Sequence, residues 1–193
     1  MIGFRRRRKG RVTAVFDPRE AALLASLARQ MVELLRDRHG EAVADADPLA
    51  AQLGLNGPSL PPEDPVLRRL LPDAYADDPD ESGEFRRYTE QSLTAAKVSN
   101  AEAVIAALVV GGFDPDAGDI AGQGDVDVEL GPEAAMSWLK SLTDIRLALA
   151  VRLGIETEED ADLAMHTSDE GRRAMGEVYE WLGYVQESLV STF

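Results

Sequence analysis

The sequence predicts a mostly α fold, a helical bundle with a minor two- or three-stranded β element. Apolar residues recur every three or four positions over several long stretches, which is typical of helices packed on a core. Only an N-terminal hairpin and residues 126–130 show the alternation and turn residues of strands. Because 193 residues with 45% hydrophobic content can bury a sizeable core, we expect a single domain over 1–193.

Residues 1–11 are a basic arm that we expect to form a hairpin. The arm carries six cations and no acid, so the net charge of −15 divides into +6 on the arm and −21 on the remainder. Lys9 and Gly10 can turn a strand at Arg11–Phe16 back on residues 2–8. Repeated arginines at Arg5–Arg8 either keep an edge strand from pairing with other chains or contact phosphate. Because the acidic body repels phosphate, we do not expect nucleic-acid binding.

A capping box marks the start of the first long helix. Asp17 is placed to cap it, Pro18 occupies the first helical position, and Glu20 reaches back to the cap. We expect this helix to run to about His39 and to stop at Gly40. Residues 41–62 are rich in glycine and proline, so we predict a flexible loop there, with one helical turn near 49–53.

Two further helices follow the loop. The first is predicted over residues 64–71, and the second begins near Ser82 or Gly83 and lasts to about Val110. Ser99 with Glu102 is a second capping-box pattern, which indicates a kink or break in the long helix. Because residues 101–110 are apolar on nearly every side, they are predicted to be central and buried.

The C-terminal half is predicted as a strand followed by three helices. Residues 126–130 are expected to pair with the N-terminal hairpin, and Gly131–Pro132 opens a helix to Leu153. A short helix spans 158–165, and Ser168 opens the last one. An apolar stripe along the last helix favours either core packing or a homodimer through this helix. Its members are Met175, Val178, Leu182, Val185 and Leu189.

Charged residues stand between large apolar ones over residues 64–90, which indicates a polar network at the edge of a core. Arg146 lies beside an apolar stripe, where a guanidinium has lost much of its water and needs a carboxylate. We expect an ion pair with Glu84 or Glu90; the alternative is a fork for an anionic ligand or a partner's carboxylate. The candidate anion- or partner-binding residues are Arg86, Arg87 and Arg146. The candidate network carboxylates are Glu84, Glu90, Asp73 and Asp144.

The sequence lacks the residues that several classes of activity require. The chain has no cysteine, which excludes disulfides, cysteine zinc sites and thiol nucleophiles. The aspartates of residues 114–127 invert the acid and glycine positions of an EF-hand loop, so a flexible acidic loop is the better interpretation. His39 and His166 stand at helix ends as local caps. We therefore predict no catalytic residue, no metal site and no cofactor, and we see no apolar run of membrane-spanning length.

The sequence resembles an actinobacterial family of unknown function whose genes are often found beside that of the ClpS protease adaptor. The matching stretches are Asp64–Tyr75, Glu84–Glu90 with Lys97, Trp138–Gly154, and Leu182, Gln186, Glu187 and Leu189. One departure is Thr143, where the family is expected to carry asparagine. The resemblance implies a helical domain and, through gene neighbourhood, a link to regulated proteolysis or sulfur-carrier pathways. It implies no particular activity.

These observations favour a non-enzymatic cytoplasmic protein-interaction or regulatory domain with an unknown protein partner. The candidate surface is the segment 64–90 together with Arg146 and the last helix. The alternative is a binder or enzyme that uses the arginine cluster against a small anionic ligand. A flat apolar patch rimmed by charge would favour the first interpretation, whereas convergent arginines in a deep pocket would favour the second.

Overall fold

A computed structural model describes residues 1–44 and 58–193, and for residues 39–44 it describes the backbone alone. The helical turn predicted near 49–53 and the side chain of His39 therefore lie outside the described residues. Within the described ranges the protein is mostly helical with one three-stranded antiparallel sheet, which confirms the predicted fold class. The predicted flexible loop 41–62 is described only at its ends: residues 41–44 belong to the first helix, and residues 58–62 are irregular.

The sheet has the strand order β1–β2–β3, with β2 in the centre. Its strands are β1 (Ile2–Arg6), β2 (Val12–Phe16) and β3 (Val126–Leu130). The hairpin turn places Lys9 at φ 62° and Gly10 at φ 70°, so the predicted glycine supplies one of two left-handed residues. Strand β3 pairs with β2 in register from Val12 with Leu130 to Phe16 with Val126. Both the hairpin and its pairing with residues 126–130 are as predicted.

Six helices lie in the described residues, and each has a sequence signal at its start. They are α1 (Pro18–Ala44), α2 (Pro65–Leu70), α3 (Pro79–Val110), α4 (Pro132–Leu153), α5 (Glu158–Met165) and α6 (Glu170–Val190). Proline occupies the first position of the first four, where its missing N–H has no helical partner to lose. Aspartate or threonine side chains cap α2, α3, α5 and α6.

The predicted end of α1, the predicted start of α3 and the predicted break within α3 differ from the structure, and Asp169, not Ser168, caps α6. Helix α1 continues through Gly40 to Ala44, because a single glycine weakens a helix by only about 1 kcal/mol and does not force it to end. Helix α3 begins at Pro79, where the side chain of Asp78 accepts a hydrogen bond from the backbone N–H of Glu81 at 3.0 Å. It then runs without a break through Ser99, so the capping-box pattern there does not start a new helix.

The capping box of α1 forms as predicted. Asp17 Oδ1 accepts hydrogen bonds from the backbone N–H groups of Arg19 and Glu20, and Glu20 Oε2 accepts one from the backbone N–H of Asp17. The bond from the Glu20 backbone is the largest cause that lowers the pKa of Asp17 below its ordinary value of 3.8. Asp17 therefore stabilises the fold at pH values above its ordinary pKa of 3.8. This contribution is lost as the pH falls through the lowered pKa of the folded state.

Replacing Asp17 tests the cap. Asp17→Ala should lower the free energy of unfolding by about 1 kcal/mol at neutral pH, because two N–H groups lose their acceptor. The difference in the free energy of unfolding between this variant and the wild type should become smaller in acid, where wild-type Asp17 is protonated. Asp17→Asn keeps an acceptor oxygen without the charge and should cost less. Urea unfolding at several pH values measures both, and a deficit of Asp17→Ala that does not change with pH would contradict the assignment.

The core joins the sheet to the helices through an aromatic cluster. Phe4, Phe16 and Trp138 meet with ring centroids 5.5 to 6.1 Å apart, two of the three pairs being edge to face. The apolar stripe of α6 belongs to this core, since Leu182, Val185 and Leu189 are fully buried within the chain. The stripe is therefore used in the monomer, and a homodimer through this helix remains a prediction.

Helix α3 is less buried than its sequence indicates. Ala101, Val104 and Leu108 are fully buried, but Val109 and Val110 are 45% and 88% exposed. The prediction that residues 101–110 are central is thus wrong for one side of the helix. By length and composition alone, α3 could cross a membrane: a window of it has a mean hydropathy of 1.5, and 22% of that window is buried. The sequence expectation missed this because Lys97 and Glu102 interrupt the apolar run.

Candidate interaction surface

A buried ion-pair network anchors the N-terminal half of α3. Arg86 is 5% exposed; its guanidinium donates to Asp73 Oδ1 at 2.6 Å, to Glu90 Oε2, and to the Leu71 carbonyl at 3.1 Å. Arg86 was predicted to be a candidate binding residue and Glu90 a network carboxylate; here the two form an ion pair and both are buried. Burial alone would lower the pKa of Arg86, but the bonds to Glu90 and Asp73 outweigh it and raise that pKa. The guanidinium therefore stays charged.

Glu90 links this network to α1. Its other oxygen accepts a hydrogen bond from Arg38 Nε at 3.0 Å, and Arg38 also donates to the carbonyl of Leu60 at 2.7 Å. One buried carboxylate thus faces two guanidinium groups. A buried ion pair stabilises a fold little more than well-packed apolar residues in the same place would. Removing one partner, however, leaves an uncompensated buried charge. The network therefore fixes how α1, α3 and the segment before α3 meet.

A second ion pair joins the middle of α3 to α4. Lys97 Nζ lies 2.6 Å from Asp144 Oδ1, and their side chains are 15% and 9% exposed. Asp144 was predicted to be a network carboxylate, and its described ion-pair partner is this lysine. No described residue joins this pair to the Arg86 network by an ion pair.

Arg146 stands apart from both networks. Its NH1 donates to Gln186 Oε1 at 2.7 Å, and its guanidinium carbon lies 4.7 Å from the centre of the Tyr179 ring. No carboxylate in the described ranges lies within ion-pair distance of it. The predicted ion pair with Glu84 or Glu90 is therefore wrong, because α4 turns Arg146 toward α6 and not toward α3.

A groove on α6 exposes the Arg146 side chain. Gln186 Nε2 donates to Thr143 Oγ1 at 2.7 Å, so the threonine that departs from the expected asparagine still meets an amide. The groove has a volume of about 480 Å³. Its lining residues are Arg146, Glu180, Gly183, Tyr184, Gln186, Glu187 and Val190. The two glutamates make it an unfavourable place for a multiply charged anion.

The three candidate arginines do not converge. Arg86 is enclosed by its carboxylates, Arg87 is exposed on the solvent side of α3, and Arg146 faces α6. Glu84 is exposed and makes no ion pair with any described residue. The interpretation of one connected polar unit is wrong; the residues divide into the Arg86 network, the Lys97–Asp144 pair and the Arg146 groove.

An aromatic patch lies on the outer side of the Arg86 network. We give this name to Tyr75, Phe85 and Tyr88, which are 42%, 46% and 61% exposed. The Tyr75 and Phe85 rings meet edge to face with centroids 6.1 Å apart. Ser82 holds Tyr75 in place, because its hydroxyl donates to the Tyr75 carbonyl at 2.7 Å and accepts from the Tyr75 N–H at 3.0 Å.

The aromatic patch continues along α3 as a stripe without charge. The uncharged stripe comprises Phe85, Tyr88, Ser92, Ala95, Ala96, Ser99, Ala103, Ala106 and Val110. All of them are exposed except Ala103, which is half-buried. The candidate surface predicted over residues 64–90 includes Phe85 and Tyr88 but not the stripe beyond them, although the helical spacing of uncharged residues from Phe85 onward could have identified this face. What the spacing cannot say is which apolar face of α3 meets the core.

The remaining candidate features make local contacts. Gln123 holds the acidic loop: its side chain accepts from the Asp114 N–H at 2.8 Å and donates to the Asp114 carbonyl at 3.0 Å. Across residues 1–44 and 58–193, no three metal-ligating side chains come together. His166 Nδ1 lies 2.8 Å from the Asp162 carbonyl. In the basic arm, Arg11 pairs with Glu129, whereas Arg5, Arg6 and Arg8 are exposed.

Comparison with known proteins gives a consistent result. A family model described as a domain of unknown function, DUF2017, matches residues 1–193. The chain is 35% identical over 182 residues to the oxidative stress regulator AosR of Mycobacterium tuberculosis strain H37Rv, which covers 90% of this chain and 78% of the relative. The protein of the same name in Mycobacterium bovis matches to the same extent. No solved structure matches. These matches confirm the resemblance to an actinobacterial family of unknown function.

Proposed function

This chain belongs to the DUF2017 family, and from that membership we propose that it is a cytoplasmic regulatory protein that acts by contact with other proteins and not by catalysis. Two relatives at 35% identity are named regulators, which supports the regulatory part. The finer role in oxidative stress comes from those names alone. A link to regulated proteolysis, which the resemblance to the family implied through an expected gene neighbourhood, stays a prediction.

The aromatic patch is the observation that carries the proposal. Tyr75 and Phe85 pack edge to face on the surface, and Tyr88 is exposed one helical turn after Phe85. Exposed aromatic groups in a charged rim are typical of protein contact sites, because rigid rings gain much from burial at little entropic cost. The exposed charged residues that neighbour the patch in the sequence are Asp77, Asp78, Glu81, Glu84 and Arg87. The arginines needed for an anion site, in contrast, lie in three separate places.

The composition limits how the protein could respond to an oxidant. The chain has no cysteine, so it cannot use a thiol or a disulfide as its sensor. We propose that the thiol sensor of such a response lies on another molecule, which this chain contacts. This placement needs a contact surface on the chain, which the aromatic patch provides.

Deleting the gene tests the proposal. The deletion strain should fail to change a set of transcripts that the parent strain changes on exposure to hydrogen peroxide. Expression of the wild-type chain from a second locus should restore the response. Identical transcript profiles in parent and deletion strains, both before and after peroxide, would contradict a regulatory function.

The alternative function is a small-ligand binder at the Arg146 groove. It is favoured by a half-buried guanidinium that no described carboxylate pairs with, and whose Nε has no hydrogen-bond partner. Inorganic phosphate and citrate should then raise the thermal unfolding midpoint of the wild type but not that of Arg146→Met. Arg152→Met, on the same helix and exposed, is the matched control. Our proposal predicts that Arg146→Met and the wild type respond alike.

A further inference from the structure

Helix α3 presents an exposed face that lacks charge along most of its length. The uncharged stripe runs from Phe85 to Val110, a distance of about 38 Å along the helix axis. The solvent face of a surface helix normally carries charged and polar residues. Here the solvent face belongs to a helix with a mean hydropathy of 1.5 over a window that is only 22% buried. Such a face indicates a surface that another molecule covers.

The spacing along the stripe fits a second helix. Its members recur at intervals of three or four residues over seven turns, which is the pattern of a seam between two packed helices. Small residues in its middle allow two backbones to approach closely. The exposed area is on the order of 600 Å², the upper end for a patch on an ordinary monomer, and two such faces would bury about 1,200 Å² in total, the lower end for a specific interface.

We propose that a second copy of this chain covers the stripe, with the two α3 helices antiparallel about a twofold axis. A twofold interface must be complementary to itself. The stripe meets this requirement, because its aromatic end lies opposite its small-residue end when the helix is reversed. Phe85 then faces Val110 of the other copy, Tyr88 faces Ala106, and Ser92 faces Ala103.

The opposite orientation would pack poorly. Parallel helices would set Phe85 against Phe85 and Tyr88 against Tyr88, and these rings would hold the small residues apart. A membrane is also a poor occupant, since the other sides of α3 carry Arg86, Glu90 and Lys97 in ion pairs with neighbouring segments. A lipid surface would have to meet a helix already enclosed on those sides.

This inference rests on the proposed function and deepens it, because it makes the regulator a dimer through the stripe, and other proteins would then contact that dimer. It does not depend on which transcripts the protein controls, so the two can fail separately. A monomeric wild type would overturn the inference and leave the regulatory proposal standing. A dimeric wild type, together with a deletion strain whose transcripts match those of the parent, would overturn the regulatory proposal and leave the inference standing.

Light scattering and sedimentation of the purified chain test the dimer. At tens of micromolar, the wild type should show twice the 20.9 kDa mass of the chain. Ala96→Glu should weaken self-association by at least about 100-fold, since it sets two like charges close to the axis. Ala174→Glu, an exposed alanine on α6, is the matched control and should remain dimeric. Far-UV circular dichroism should show that both variants are folded.

Added salt gives a second readout of the same interface. Each copy carries a net charge of −15, so repulsion between the bodies opposes association and salt screens it. The dissociation constant should therefore fall as sodium chloride is raised from low to physiological concentration. A monomer at every salt concentration, an Ala96→Glu variant as dimeric as the control, or capture of the wild type by liposomes as a monomer would overturn the proposal.

Introduced cysteines test the orientation cleanly, because the chain has none of its own. Ser92→Cys mixed with Ala103→Cys should form a disulfide-linked dimer on mild oxidation. Ser92→Cys alone should not, because in the antiparallel pair the two copies of this residue lie about 17 Å apart along the helices, beyond disulfide reach. Rapid cross-linking of Ser92→Cys alone would contradict the antiparallel arrangement.

Discussion

Glu90→Leu should lower the free energy of unfolding by about 3 kcal/mol, the largest loss we expect from a single charged residue. Glu90 is 5% exposed and contacts both Arg86 and Arg38. Removing its carboxylate leaves two guanidinium groups in a low-dielectric environment, with Asp73 and two backbone carbonyls as their remaining acceptors. Urea unfolding followed by the fluorescence of Trp138 and Trp181 measures the change.

The double variant Arg86→Met with Glu90→Leu should be more stable than Glu90→Leu alone. Two apolar side chains can fill the space of the buried pair, so that Arg86 is no longer an uncompensated buried charge, although Arg38 still loses Glu90. We expect a coupling of about 1 to 2 kcal/mol between the two positions. If the double variant lost the sum of the unfolding free energies that the two single variants lose, Arg86 and Glu90 would not interact as the structure shows.

Tyr88→Glu should abolish the regulatory response while leaving the fold intact. The Tyr88 ring is 61% exposed on the aromatic patch, so its replacement should change the free energy of unfolding by no more than about 0.5 kcal/mol. A carboxylate at the centre of an apolar contact, however, must lose its water when a partner covers it. The variant should therefore be as abundant as the wild type in the cell and inactive.

Helix starts were predictable from the sequence because capping is a local property. Asp17, Asp64 and Thr157 each bond to backbone groups within three residues, so the letters alone identify them. The start of α3 was missed by three residues because two candidate caps, Asp78 and Ser82, stand one turn apart. Ser82 instead serves the backbone of Tyr75.

The candidate site was less predictable because it depends on which helix faces which. The Arg86 to Glu90 spacing is visible along one helix, but its burial depends on α1 and on residues before α3. The position of Arg146 beside an apolar stripe is also visible, yet nothing local says that this side of α4 meets α6. The uncharged stripe was hidden for the same reason: an apolar helix looks alike whether its faces meet the core or solvent.

The most direct test of contact through the aromatic patch compares two tyrosines in the deletion strain. Tyr88 on α3 and Tyr184 in the Arg146 groove are 61% and 53% exposed. The strain carrying Tyr184→Glu should recover the peroxide-dependent transcripts, and the strain carrying Tyr88→Glu at equal protein abundance should not. Recovery with Tyr88→Glu and failure with Tyr184→Glu would contradict the account and favour the ligand groove instead.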